Sequence, residues 1–373
     1  MRIALIIFHA NPTRGGAERY TADLAAALAA RGHEVSLLAL DFGPPIEKVT
    51  FVPLPVHGLT RAGKFAHWLR SLNDHLSRNV YDIVHAMLPV PHCDLYHPHA
   101  GLAAEKLSEN WSNRFVPRRR MFASIERQLL CGDRPPVVLC LSDYVKKSIP
   151  RFYTLPQDHL ATLFNAVDLN RFQADASRRE QDRLELKIPA ERIVALMVAQ
   201  DFARKGLTEA ISALKELNDN RLLLLVVGGD NPSRFARLAK MQNVAGQIRF
   251  IGQVADPRPF YRAADFFLLP THHDPCSLVV LESLAMGLPV ISTAQNGACE
   301  IMESGRHGFV LPDSRDIPAI TNAIRQMLDP AARAMMSHAC LELRQSLSFD
   351  QHVDRLLTIY DECKIFAQKS APR

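Results

Sequence analysis

Residues 270–301, PTHHDPCSLVVLESLAMGLPVISTAQNGACEI, decide how this chain is read. The run before them, residues 266–269, is apolar and stops at Pro270, as a buried strand does. Polar residues follow to Pro275, and then Leu278, Leu281, Leu284 and Ala285 recur at the spacing of one buried helical face. Cys276 and Ser277 stand at the helix start and Gly287 at its end. A helix that opens just past a strand's C-terminal end offers free N–H groups and partial positive charge where open α/β sheets bind ligands. Asp274 precedes the helix and Glu282 falls on its second turn, so both carboxylates can face one ligand at the helix start. Taken alone, the pair reads more simply as a capping aspartate and a solvated glutamate.

Outward from this stretch, the chain repeats one unit. Apolar runs at residues 3–8, 34–40, 81–85 and 136–141 alternate with helical patterns at 22–28 and 64–76. Further apolar runs lie at 192–198, 222–227 and 248–252, and closing helices are expected at 317–328 and 352–366. Strand, helix, strand is the unit of a parallel sheet. At 373 residues the chain exceeds one ordinary core and implies two domains. The charged stretch 174–185 reads as the linker.

With 47% hydrophobic and 22% charged residues, the composition is that of a soluble globular protein, and no apolar run approaches a bilayer's thickness. The N-terminus, MRIALIIFHA, reads as a first strand without a signal-peptide cleavage pattern, so a cytoplasmic protein is expected. Seven scattered cysteines lack C-x-x-C spacing, which argues against a disulfide framework or a structural zinc site. The net charge of +5 suits an anionic substrate or membrane surface without choosing between them. Nothing in the pattern calls for nucleic acid.

Three loops carry candidate chemistry. Gly15 and Gly16 precede the first helix and allow close backbone approach to a ligand, but they do not form G-x-G-x-x-G, which removes the main support for dinucleotide binding. Arg204 and Lys205 follow a strand, where two cations can neutralise a diphosphate. His85, His92, Asp94, His97 and His99 cluster in sequence at a spacing that matches no standard metal site. Their alternative use is to position an acceptor hydroxyl, with His99 the first candidate and Asp94 the second. Residues 111–122 interleave Arg114, Arg118, Arg119 and Arg120 with Trp111, Phe115, Val116, Met121 and Phe122, a pattern open to either an anionic membrane surface or a solvated helix.

These motifs, in this order, resemble the retaining nucleotide-sugar glycosyltransferases of the GT-B architecture, the large family-four group. Its signature is an acid, seven residues, a Glu, and a small-residue helix ending in G-x-P-V-I, here Asp274, Glu282, Gly287, Pro289 and Val290. Asp274 stands where Glu is usual, and D-P-C-S-x-V-x-L-E is similar to a variant in enzymes related to lipopolysaccharide-core glucosyltransferases. The family's G-G-x-E/Q-R segment corresponds to Gly15 and Gly16, and its R-K-G turn to Arg204, Lys205 and Gly206. N-A-V-D-L-N-R-F at 165–172 resembles N-G-V-D-x-x-R-F with Ala166 in place of glycine. The glycine-rich turn near the nucleotide falls on Gly228, with Asp230 where a further glycine is common, and Val254 follows the strand before the base-binding segment.

The resemblance implies two Rossmann-like domains facing a central cleft. Residues 1–170 would bind the acceptor and 171–350 the nucleotide sugar, and 351–373 would form a helix crossing back to the first domain. It implies transfer of a hexose-type sugar from a nucleotide-sugar donor, UDP-linked as in UDP-glucose, to a cell-envelope glycan or lipid such as lipopolysaccharide core. Arg204, Lys205 and the helix start at Cys276, Ser277, Leu278 and Val279 would hold the diphosphate. Glu282 would accept from ribose hydroxyls and Asp274 from the donor sugar, with His99 on the acceptor side. No D-x-D motif occurs, so neither a metal nor any cofactor beyond the donor is expected. The protein would work in the cytoplasm, at the inner face of the membrane if residues 111–122 bind it. The rivals are a nucleotide-sugar epimerase of the same fold and a sugar-binding protein without catalysis.

Overall fold

The computed structural model describes residues 1–99, 101–108 and 111–369, which fall into two compact units, 1–165 with 349–373 and 166–348. The end of the last segment, residues 370–373, lies outside the described residues.

The first unit is built on a seven-stranded, all-parallel sheet. Its strands are β1 (Arg2–Ile6), β2 (Glu34–Ala39), β3 (Val49–Pro53), β4 (Ile83–Ala86), β5 (Leu95–Tyr96), β6 (Val137–Cys140) and β7 (Leu160–Thr162), in the order β3-β2-β1-β4-β5-β6-β7. Its helices in chain order are α1 (Gly16–Ala30), α2 (Arg61–Arg78), α3 (Ala103–Ser108), α4 (Pro117–Leu130) and α5 (Asp143–Ser148). Ile3, Leu5, Leu37 and Leu139 are fully buried, as both faces of a parallel sheet require.

The second unit repeats the plan with six parallel strands: β8 (Ile193–Val198), β9 (Leu222–Val227), β10 (Ile248–Gly252), β11 (Phe266–Leu269), β12 (Val290–Thr293) and β13 (Gly308–Leu311), ordered β10-β9-β8-β11-β12-β13. Between and after them run α6 (Arg179–Glu185), α7 (Leu207–Leu217), α8 (Ser233–Met241), α9 (Arg258–Ala263), α10 (Leu278–Ala285), α11 (Ile317–Gln326) and α12 (Pro330–Glu342). The last helix, α13 (Phe349–Lys369), belongs to the first unit. There Tyr20 shares a 2.7 Å hydrogen bond with His352, and Tyr360 a 2.8 Å bond with His85.

Both sheets have the doubly wound strand order, so each reverses direction at one point: between β1 and β4 in the first unit and between β8 and β11 in the second. Such a switch point leaves a crevice at the strands' carboxyl ends. The Arg204-Lys205 loop leaves β8 and the Asp274 loop leaves β11, so the two flank that crevice.

Two expectations are corrected. Residues 174–185 are no loose linker, because α6 packs on α9 through Arg262 and Asp182 (2.5 Å), while Arg179 and Arg183 reach Asp265. The first helix begins at Gly16, not near residue 22, so Gly16 lies in its first turn instead of the preceding loop.

Candidate functional site

The site in the second unit is set by how closely the β8–α7 loop approaches the end of β11. Gly206 has φ +81, and a Cβ there would lie 2.0 Å from the Pro270 carbonyl oxygen, so only glycine lets the loops touch. Gly228 has φ +149, and its Cβ would lie 1.7 Å from the Ala199 oxygen. Its glycine is therefore demanded by the packing of the β8 and β9 ends, a reason independent of any nucleotide. Asp230 braces the same loop by accepting from the Phe202 N–H at 2.9 Å.

The two loops are then laced together. The Thr271 hydroxyl and the His272 N–H donate to the Arg204 carbonyl at 3.1 and 2.9 Å, and the Arg204 guanidinium donates to the His273 carbonyl at 2.6 Å. Beside them Lys205 and Asp274 form a buried ion pair, with 11% and 10% of their side chains exposed. Burial alone would raise the Asp274 pKa, but the charge and hydrogen bond of Lys205, with Arg204 nearby, hold it below the usual carboxylate range. Lys205 Nζ also lies 3.5 Å from Ser277 Oγ, which places the ammonium at the start of α10.

Ser277 caps α10 without a side-chain hydrogen bond to it, and its own N–H donates to Asn296 Oδ1 at 3.2 Å. Among the described residues no acceptor is recorded for the Leu278 and Val279 amides, which open the helix. These N–H groups and the helix dipole lie on the same pair of loops as two cations, Lys205, paired to Asp274, and the 40%-exposed Arg204, paired to Asp201 at 3.5 Å. Cys276 is buried there and presents no exposed thiol.

Glu282, on the second turn of α10, is half-buried, and its Oε2 accepts from the Tyr261 hydroxyl at 2.7 Å. Val254 lies just beyond β10, whose terminal Gly252 carbonyl accepts from the Gly228 N–H at 2.9 Å. The structure thus gathers Arg204, Lys205, Asp274, Cys276, Ser277, Leu278, Val279 and Glu282 on two loops and one helix, with Gly228 on the adjoining turn.

Gly15, Gly16 and His99 belong to the first unit. Gly15 precedes α1 in extended backbone, φ 179, which any residue adopts. His99 packs on Tyr20 and His97 with ring centroids 4.7 and 4.9 Å apart. His85 and His97 are buried, and burial pushes the His85 pKa down to about 3. Among the described residues no three His, Cys, Asp or Glu side chains are placed to hold a metal ion. Asp94, the second acceptor-side candidate, accepts from the Val84 N–H at 2.7 Å and ties β4 to the chain before β5. Residues 111–122 divide: Trp111, Phe115 and Val116 are exposed, whereas Phe122 stacks on Phe65 at 4.5 Å and joins the core. Arg114, Arg120 and Arg127 line a neighbouring cavity of about 500 Å³ with Phe152 and Tyr153. No described helix is long and apolar enough to cross a membrane.

Sequence reasoning named Gly206 and Asp230 as motif positions without their packing roles, and it missed Thr271, Asn296 and Tyr261, which act through contacts between segments distant in the chain.

Comparison with known proteins agrees with this geometry. The family described as Glycosyl transferases group 1 matches residues 178–340, and Glycosyltransferase Family 4 matches residues 14–171. Lipopolysaccharide glucosyltransferase WaaG of Escherichia coli (strain K12) is 26% identical over 322 residues, covering 84% of this chain and 86% of its own. The crystal structure of WaaG superposes with a TM-score of 0.82 at 24% identity, over 92% of this chain and 95% of that one. HepE of Anabaena, solved in complex with UDP-glucose, gives a TM-score of 0.75 at 17% identity, over 96% and 100% of the two chains. With the two families accounting for its two halves, the chain belongs to the group 1 and family-four glycosyltransferases, enzymes of the GT-B architecture.

Proposed function

We propose that this enzyme transfers a hexose-type sugar, glucose in the first instance, from a UDP-linked donor to a cell-envelope glycan or lipid such as lipopolysaccharide core, with retention of anomeric configuration. The observation that carries the proposal is the convergence of Lys205, Arg204 and the open amides of α10 at the sheet's switch point. The name of the Escherichia coli relative and the UDP-glucose complex of HepE favour this donor and acceptor class.

In this mechanism the diphosphate rests against the Leu278 and Val279 amides at the helix start formed by Cys276 and Ser277. Arg204 and Lys205 neutralise the charge that grows on it as the glycosidic bond breaks. Fixed positive charge where negative charge develops lowers the barrier without reorganisation during the reaction. Lys205 exchanges Asp274 for the diphosphate, and the freed carboxylate accepts from donor-sugar hydroxyls. Glu282 accepts from the ribose hydroxyls, and Val254 and Gly228 contact base and nucleotide through their backbones. In the first unit, Gly15 and Gly16 approach the ligand and His99 orients the acceptor hydroxyl. The chemistry needs no metal, since these cations and amides take the role a divalent ion would play.

The exposed Trp111 and Phe115, with the arginine-lined cavity beside them, favour contact with an anionic amphiphilic surface, and in this reading the enzyme works at the inner face of the cytoplasmic membrane. The test is incubation with UDP-glucose and related donors, with and without acceptor glycolipid, following released UDP and the anomeric proton of the product. UDP release that depends on acceptor, with retained configuration, is expected. Sugar interconversion without acceptor would indicate an epimerase, and donor binding without turnover a binding protein.

A further inference from the structure

His9 lies just beyond the end of β1, one of the two strands that flank the first unit's switch point. Its Nδ1 is 2.7 Å from Oδ2 of Asp41, which lies just past the end of β2. The backbone fixes both partners, since the Leu40 N–H donates to the Phe8 carbonyl at 3.0 Å and the Ala10 N–H to the Asp41 carbonyl at 2.9 Å. Phe8 backs the imidazole edge-on at 4.6 Å and is itself packed on Phe65 and Trp68. A carboxylate only accepts, so Nδ1 carries the hydrogen, and in the neutral ring Nε2 is left as an acceptor. The His9 side chain is 23% exposed, and among the described residues no hydrogen-bond partner is recorded for Nε2.

Asp41 is committed to the imidazole. Its Oδ1 is buried without a donor, and Arg14 stands 3.7 Å from Oδ2, so the short bond from His9 is the one hydrogen bond recorded for the carboxylate among the described residues. The backbone bonds already join these two segments, and a partly exposed side-chain pair adds little to stability. An imidazole held in one tautomer at a strand's carboxyl end is instead suited to a ligand that donates hydrogen bonds.

We propose that His9 Nε2 receives a hydroxyl of the sugar acceptor, with Asp41 as the positioning residue that keeps the ring in the tautomer able to accept it. The proposal rests on the reading of the first unit as the acceptor-binding half, and it adds a second hydroxyl contact to the one given to His99. His9 binds the acceptor and Asp41 acts through His9, so both effects fall on acceptor affinity and not on the donor.

The experiment uses the full chain with UDP-glucose and, as acceptor, lipopolysaccharide core oligosaccharide freed of its acyl chains. It reads UDP release for the acceptor KM and kcat, the UDP dissociation constant, and the melting temperature. Ring nitrogen shifts at about pH 8, where an ordinary imidazole is neutral, report the His9 tautomer and should show hydrogen on Nδ1. His9→Phe keeps a ring against Phe8 and should raise the acceptor KM about tenfold, the loss of one hydrogen bond, with UDP affinity unchanged. His9→Gln places an amide near the Nε2 position and should recover most of that loss. In Asp41→Asn the amide can turn either its carbonyl or its NH2 group to Nδ1, so mixed tautomers and a several-fold higher acceptor KM are expected.

A pair that only ties β1 to β2 would lower the melting temperature in both His9→Phe and Asp41→Asn and leave the acceptor KM within about twofold of wild type, which overturns the proposal. Hydrogen on Nε2 in the wild type, or UDP affinity falling in step with the acceptor, overturns it as well. If His9→Phe does not fold, Asp41→Asn, which keeps the shape of the side chain, decides by the same KM and tautomer readouts. A wild type whose UDP release is indifferent to this acceptor removes the acceptor reading and the proposal together. Acceptor-dependent release that His9→Phe leaves intact removes the role of His9 alone.

Discussion

Lys205 and Asp274 are 69 residues apart in sequence and pair inside the second unit, beside Ser277 at the start of α10. A buried charge that loses its partner is strongly penalised, so Lys205→Met should cost about 3–5 kcal/mol in urea denaturation. Adding Asp274→Asn removes the orphaned charge and should restore most of that stability. Neither variant should recover turnover, because the double variant still lacks the cation. A double variant that regained activity with its stability would make the pair purely structural.

Gly206→Ala and Gly228→Ala should each destabilise the second unit by several kcal/mol, at the severe end of single substitutions. In both, a methyl group would meet a backbone oxygen, at 2.0 and 1.7 Å, and both glycines have positive φ. Gly246→Ala, where nothing lies within 4 Å of the added carbon, is the matched control and should stay near wild type. Equal denaturation midpoints for all three would remove the close-approach argument.

Stability should fall with acidification before the carboxylates titrate. Burial holds His85 at a pKa of about 3 and His352 at about 4, both below the 6.5 of an exposed imidazole. The His352 Nδ1 bonds the Phe164 carbonyl, so that nitrogen carries the proton and Nε2 accepts from Tyr20. The unfolded chain takes up these protons below pH 6.5 while the folded chain refuses them until pH 4 or lower. The stabilisation is therefore complete above pH 6.5 and is lost as pH falls from there toward 4, at about 1.4 kcal/mol per pH unit for each histidine. His352→Gln should remove about one proton's worth of that slope between pH 6 and 5, measured from denaturation at each pH. An unchanged slope would mean that His352 is not held neutral.

The central strands were legible because they are short, largely apolar and separated by helical periods, so residues 222–227 and 266–269 could be read to the residue, whereas the short or more polar strands β3, β5, β7, β12 and β13 gave no such signal. Arg204, Lys205, Asp274 and Glu282 were legible as a set because they match the motifs of the family the sequence resembles; their places at strand ends and on a helix alone left each open to a solvated reading. What stayed hidden depends on pairs distant in the chain. Nothing near Tyr261 announces that its hydroxyl meets Glu282, and nothing near Gly228 announces the Ala199 carbonyl. The same holds for residues 174–185: the charged stretch read as a linker, yet Asp182 is 1% exposed because Arg262 arrives from a later helix. The histidines of the first unit suggested chemistry in sequence, whereas His85 and His97 proved to be neutral core residues.

The central claim is that one pyrophosphate is held jointly by Arg204, Lys205 and the first amides of α10, and calorimetric titration with UDP against uridine tests it most directly. The wild type should bind UDP at least about a hundredfold more tightly than uridine, as expected for two charge-assisted contacts. Arg204→Gln, whose side chain is partly exposed and whose loss spares the buried pair, should reduce that preference about tenfold while leaving uridine binding unchanged. If Arg204→Gln and Lys205→Met both retain the wild-type preference for UDP, the diphosphate binds elsewhere and the account is contradicted.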